Sequence, residues 1–93
     1  MKVSELPAFS RRLRDLRQGR YLTQGNLAVL TGLSRATINR LESGQSPTLE
    51  TAQLLSRYFK VPLDDLVRPE EIADWLPTRD HAAARRDASA RVK

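Results

Sequence analysis

Cysteine is absent from the 93 residues, and histidine occurs once, at position 81. Without thiols there is no disulfide framework and no thiolate site for zinc or an iron–sulfur cluster. One histidine in a stretch poor in apolar bulk does not make a metal site, so no metal and no cofactor are expected. Long apolar runs are also lacking. The longest is Leu27–Leu30, far below the ~20 residues a membrane helix needs. Met1–Pro7 holds no apolar core of signal-peptide length. A cytoplasmic protein without membrane association is the expectation. Nothing has the spacing of a phosphate loop, a dinucleotide fingerprint or a nucleophile elbow. Asp64-Asp65, just after Pro62, reads as first-turn acids at the positive end of a helix dipole rather than as a catalytic pair. The chain is not expected to be an enzyme.

Acid is the charge in short supply. There are 16 Lys and Arg against 11 Asp and Glu, a formal charge of +5. Residues 1–67 carry 10 basic and 6 acidic side chains, a balance of +4, and residues 68–93 carry 6 and 5, a balance of +1. The basic excess belongs to the part rich in apolar periodicity, and a basic domain attracts polyanions, nucleic acid above all.

What is present is helical periodicity. Phe9, Leu13 and Leu16 repeat at helical spacing among arginines, and Gly19 reads as that helix's end. Thr23 reads as the N-cap of a second helix with Leu27, Ala28 and Leu30, and Gly32 as the turn that follows. Ser34 caps a third helix over about 35–42. Ser43–Pro47 is a loop by composition, and Thr48 caps a fourth helix with Leu49, Ala52, Leu55 and Phe59 inward. Pro62 suits the first turn of a short fifth helix with Leu63 and Leu66. No strand pattern competes. The expectation is an all-α domain of five helices over residues 1–67, followed by an extension over 68–93. Within the extension, Pro69-Glu70-Glu71 looks like a helix start, and Ile72, Trp75 and Leu76 form an i, i+3, i+4 stripe. A short helix over 69–76 is expected, its stripe serving as a dimer or partner interface. Residues 78–93 hold too little apolar bulk to offset ordering entropy and are expected to be weakly ordered.

The informative segment runs from Thr23 to Gly44. Two helices joined by a short glycine turn can set the second across the first, leaving it free to enter the DNA major groove. On a wheel of the third helix, Ile38 and Leu41 point inward together. Ala36, Asn39, Arg40 and Ser43 point away, and Arg35 and Thr37 flank them near the N-terminus. Arg can bond a guanine edge bidentately, and Ala or a Thr methyl can touch a thymine methyl.

The stretch from Leu13 to Leu66 resembles the Cro and lambda-repressor type (XRE) helix-turn-helix family. The resemblance rests on Arg17, Thr23-Gln24, Leu27-Ala28, Gly32-Leu33-Ser34, Thr37-Ile38, Leu41-Glu42-Ser43-Gly44, Pro47, Leu49-Glu50-Thr51 and Val61–Leu66. It implies a five-helix lambda-repressor-like fold and a sequence-specific regulator of transcription that binds double-stranded DNA as a homodimer, most often a repressor. It implies base contacts from Arg35, Ala36, Thr37 and Arg40. Backbone contacts are implied from Gln24, Ser34, Asn39, Ser43, Gln45 and Thr48, and a structural ion pair between Arg17 and Glu42. The sequence departs from the family at Gly25-Asn26, where an acidic, helix-favouring pair is usual, and glycine there lowers helix propensity by about 1 kcal/mol. Two other functions fit the same residues. One is an antitoxin whose C-terminal extension binds a protein partner. The other is a protein-interaction adaptor, though the acid-free face of Arg35 and Arg40 suits DNA better.

Overall fold

The computed structural model describes residues 6–74, and Trp75, Leu76 and the tail expected to be weakly ordered lie outside them. Five α-helices follow one another: α1 (Ala8–Gly19), α2 (Gln24–Thr31), α3 (Arg35–Glu42), α4 (Leu49–Phe59) and α5 (Leu63–Leu66). No strand occurs among the described residues, so the all-α expectation stands. The core is one cluster built around Phe9, Leu13, Leu27, Ile38, Leu55 and Phe59, to which every helix contributes. Leu49, expected inward, is 41% exposed, and Leu30 of α2 is 54% exposed.

The helix starts follow local chemistry. Thr23, Ser34 and Thr48 each accept a hydrogen bond from the backbone N–H three residues on, satisfying one of the orphan donors at a helix start. At α2 the cap is reciprocal. Asn26 N–H donates to Thr23 Oγ1 (2.9 Å) and Thr23 N–H donates to Asn26 Oδ1 (3.3 Å). Asn26 thereby does the work of the glutamate of a usual capping box, and offsets the weak propensity of Gly25.

Helix α1 ends at Gly19, as expected, and the closures beyond the helix ends add what pattern did not show. After Gly19, the last residue of α1, the left-handed residue is Tyr21, with φ 58°. Leu22 N–H then reaches the Arg17 carbonyl at 3.2 Å, closing the end five residues back. Lys60 (φ 58°) does the same for α4, with Val61 N–H on the Ser56 carbonyl, and Gly44 (φ 118°) for α3, with Gln45 N–H on the Arg40 carbonyl. These are Schellman-type closures, two of them carried by side-chain-bearing residues.

Helix α1 completes the other helix ends. Buried Ser10 donates its hydroxyl to the Leu41 carbonyl at 2.6 Å, near the end of α3. Arg12 donates to the Leu66 carbonyl, the last of α5, and Arg20 to the Phe59 carbonyl, the last of α4, at 2.8 Å. The Arg20 guanidinium also lies 5.0 Å from the Phe59 ring centroid. Helix α1 and its C-cap Arg20 thus satisfy carbonyls at the ends of three other helices.

The turn between α2 and α3 is Gly32, Leu33 and Ser34. Gly32 has φ 83°, and its N–H caps the Ala28 carbonyl at 2.8 Å. The Thr31 hydroxyl donates back to the Leu27 carbonyl and accepts from Leu33 N–H. A Cβ on Gly32 would meet nothing within 4 Å, so Gly32→Ala carries conformational cost alone. The expected loss is about 1–2 kcal/mol, read from the urea midpoint with an unchanged slope.

The extension does not form the helix expected over 69–76. Among the described residues it makes one 3-10 turn, Pro69–Glu71, after which Ile72 is extended (φ −88°, ψ 126°). The reason is competition from the domain. Ile72 packs against the core of its own chain instead of forming an outward stripe. Ala73 N–H donates to the Pro47 carbonyl at 2.6 Å, and Asp74 Oδ1 accepts from Leu49 N–H at 2.9 Å. Glu71 pairs with Arg12 at 3.2 Å. Tertiary partners pull these residues out of the helix that their spacing suggests.

Candidate nucleic-acid interface

Helix α3 lies on the domain with one face sealed and one open. Ile38 and Leu41 are buried, as the wheel requires. Arg35, Ala36, Asn39, Arg40 and Ser43 are exposed, and Thr37 is half-buried. Four of the six outward positions are therefore polar or cationic hydrogen-bonding groups near the first two turns. Among the described residues neither Arg35 nor Arg40 has an acidic partner, so both guanidiniums keep their forks free for another acceptor.

The arginines of α1 behave otherwise. Arg12 pairs with Glu71, while Arg14 (3.7 Å) and Arg17 (2.6 Å) approach Glu42. Three of the four arginines of α1 are thus engaged with acids inside the fold, whereas Arg35 and Arg40 of α3 are not.

Glu42 fixes α3 from behind. It is fully buried and accepts two bonds from Arg17, Nε–Oε2 at 2.6 Å and Nη2–Oε1 at 2.9 Å. Arg17 Nη1 reaches on to the Leu22 carbonyl at 2.7 Å. The ion pair expected of Arg17 and Glu42 is present, and it ties α1, α3 and the loop before α2 together. The hydrogen bond to Glu42 holds the Arg17 pKa above its ordinary value against the lowering effect of burial.

The same carboxylate aligns the polar face. Gln24, the first residue of α2, donates through Nε2 to Glu42 Oε1 at 3.2 Å. Asn39 then donates through Nδ2 to Gln24 Oε1 at 3.4 Å. A chain of side-chain bonds therefore runs from the buried Arg17–Glu42 pair through Gln24 to an exposed residue of α3. Such a chain holds an amide in one orientation before any ligand arrives. Gln24 and Asn39, expected separately at the DNA backbone, are brought together here.

Two helix starts flank this face. The first turns of α2 and α3 contain no acid. Among the described residues, the N–H groups of Gln24, Gly25, Arg35 and Ala36 have no acceptor. Open N–H groups at the positive end of a helix dipole attract anions. The Arg35 side chain passes 3.9 Å from where a Cβ on Gly25 would stand, so the two starts are neighbours. Ser34 serves as cap and also donates to Thr37 Oγ1 at 2.8 Å, which leaves the Thr37 methyl as its unengaged end.

The start of α4 differs. Thr48 caps Thr51, and the Asp74 carboxylate already takes Leu49 N–H. An acid stands beside Thr48, which is itself exposed. Ser43 and Gln45 remain exposed in the loop between α3 and α4. Sequence reasoning missed Ser10 and Arg14 as supports of α3. Ser10 carries a weak signal, since it sits beside Phe9 on the inward face of α1. Among the described residues there is no group of carboxylates and imidazoles fit for a metal ion, and no helix is long and apolar enough to cross a membrane.

A helix-turn-helix family model matches residues 13–66. The chain is 35% identical over 75 residues to the HTH-type transcriptional activator BcrR of Enterococcus faecalis, covering 80% of this chain and 37% of that protein. It is 38% identical over 76 residues to the uncharacterized HTH-type transcriptional regulator RghRB of Bacillus subtilis, covering 71% and 55%. It is 41% identical over 64 residues to the cryptic phage CTXphi transcriptional repressor RstR of Vibrio cholerae, covering 68% and 58%. The chain thus spans from about a third to under two thirds of these relatives. No solved structure matches it.

Proposed function

Because the chain belongs to the Cro and lambda-repressor type helix-turn-helix family, we propose that it binds double-stranded DNA sequence-specifically and regulates transcription. The single observation that carries this reading is the outward face of α3, which bears two guanidiniums without acidic partners. Arg35, Ala36, Thr37 and Arg40 enter the major groove and read base edges. The open N–H groups of α2, with Gln24, meet phosphate, and Ser34, Asn39, Ser43 and Gln45 contact the backbone and set the register. Two copies bind an inverted repeat whose half-site centres lie about 34 Å apart, one helical turn. Regulation is repression by occlusion of a promoter. Of the three relatives compared, the phage repressor is the one of which this chain spans the largest share.

Selection from a random duplex library tests the proposal. The expected product is an enriched inverted repeat that binds two chains and resists competition by unrelated DNA. Its affinity should fall with salt at a slope near −0.9 per phosphate neutralised. Binding that unrelated DNA abolishes would leave a merely basic domain and end the reading.

A further inference from the structure

Gly25 is the second residue of α2 and is half-buried. By local rules glycine is a poor choice there. It weakens a helix of only eight residues, and it forgoes an acid where the helix dipole favours one. The backbone does not ask for it, since the left-handed glycines are Gly32 and Gly44. Space does not ask for it either. A Cβ at position 25 would stand 3.9 Å from Arg35 Cδ and 3.9 Å from Thr23 Oγ1, which is ordinary van der Waals contact. What the missing side chain spares is therefore to be sought in its neighbour, Arg35.

The Arg35 stem lies beside the first turn of α2. A glutamate carries its carboxyl carbon two bonds beyond Cβ, and an arginine carries its guanidinium carbon two bonds beyond Cδ. An acid at position 25 would therefore sit within reach of the Arg35 guanidinium. As it is, the first turns of α2 and α3 hold no acid, and among the described residues Arg35 has no acidic partner. We propose that Gly25 is a specificity determinant that acts through Arg35. Its missing side chain keeps the guanidinium fork unpaired for a base edge. The proposal rests on the reading of Arg35 as a base contact. Helix stability is given up for a free recognition side chain, a trade common at functional sites.

Gly25→Glu supplies the acid. In the free protein the melting temperature should rise by about 4–8 °C, and part of that rise should be absent when Arg35→Ala removes the partner. The second readout is binding competition on single-base variants of the selected duplex. There Gly25→Glu should lower preference roughly 1.5- to 5-fold, the strength of an exposed ion pair, at the base pairs that Arg35→Ala also affects. Repulsion between the new carboxylate and phosphate weakens all sequences alike and cancels in that ratio. Combined with Arg35→Ala, Gly25→Glu should change the ratio no further. Val29→Glu adds the same charge to the same helix at an 81% exposed position and should leave the ratio intact. A melting rise independent of Arg35 would show that the two side chains do not meet, and would overturn the proposal whatever the DNA does. So would a preference that Gly25→Glu leaves intact, or one that falls equally without Arg35 or with Val29→Glu. An unaltered chain with no base preference at all would end the functional reading as well, which sets that failure apart.

Discussion

Replacing Glu42 with Ala is expected to lower the stability of the domain by about 3–5 kcal/mol, the largest effect of any single substitution considered. Glu42 is fully buried and accepts from Arg17 twice and from Gln24 once. Removing the carboxylate leaves the Arg17 guanidinium, only 12% exposed, with a single carbonyl partner. Stranding a buried charge is costly because the protein interior neither solvates nor screens it. Native domains have only about 5–15 kcal/mol in hand, so thermal melts should show a variant close to unfolding at room temperature. The opposite substitution separates charge from packing. With Arg17→Met and Glu42→Leu together, the buried guanidinium goes with its partner and only the part-exposed Arg14 loses an acid, so the double variant should be more stable than Glu42→Ala alone. If the double variant is as unstable as the single one, the pair matters through shape rather than charge.

Arg40→Ala is expected to leave stability unchanged and to relax preference at one or two base pairs of the selected site. Arg40 is exposed and, among the described residues, has no acidic partner, so its removal strands nothing. A good bidentate arginine–guanine contact supplies about 1–3 kcal/mol of discrimination, which is a roughly 5- to 150-fold loss of preference at those positions. Binding competition on single-base variants of the site measures it. Gln45→Ala provides the contrast, since a backbone contact carries no sequence information. It should weaken binding to every sequence alike and leave the salt slope unchanged, since a neutral amide releases no counterion. A uniform loss from Arg40→Ala would make Arg40 a phosphate contact instead.

The parts of the fold that were legible in the sequence are those decided by local chemistry. Thr23, Ser34 and Thr48 cap helices because a short hydroxyl side chain can reach its own N3 amide wherever it stands. Gly32 marks the turn because only glycine takes φ 83° without strain. The inward pair Ile38 and Leu41 followed from period alone. The Arg17–Glu42 pair was legible only through family resemblance, since residues 25 apart carry no periodic signal.

The rest is tertiary. Tyr21 and Lys60 hold left-handed conformations that their residue types disfavour, because core packing on both sides fixes where α1 and α4 must stop. Pattern placed the end of α1 at Gly19 and overlooked Tyr21 for that reason. The stripe of Ile72, Trp75 and Leu76 reads as helix, yet Ile72 is extended, since Pro47 and Leu49 offer bonds that no local rule foresees. The bond from Leu49 N–H to Asp74, 25 positions away, is another contact that no local rule foresees. In the site itself, residue types were legible and their coupling was not. Resemblance implied that Gln24 braces the recognition helix, but not that its partners there are Glu42 and Asn39.

The central claim is that the outward face of α3 and the start of α2 meet DNA. Amide chemical-shift mapping of the isotope-labelled chain, titrated with its selected duplex, tests it most directly. The largest perturbations are expected at Gln24, Gly25, residues 34–40 and residues 43–45, with little change at Leu63, Leu66 and Ile72. Perturbations centred on α4 and α5, with residues 34–40 silent, would contradict it.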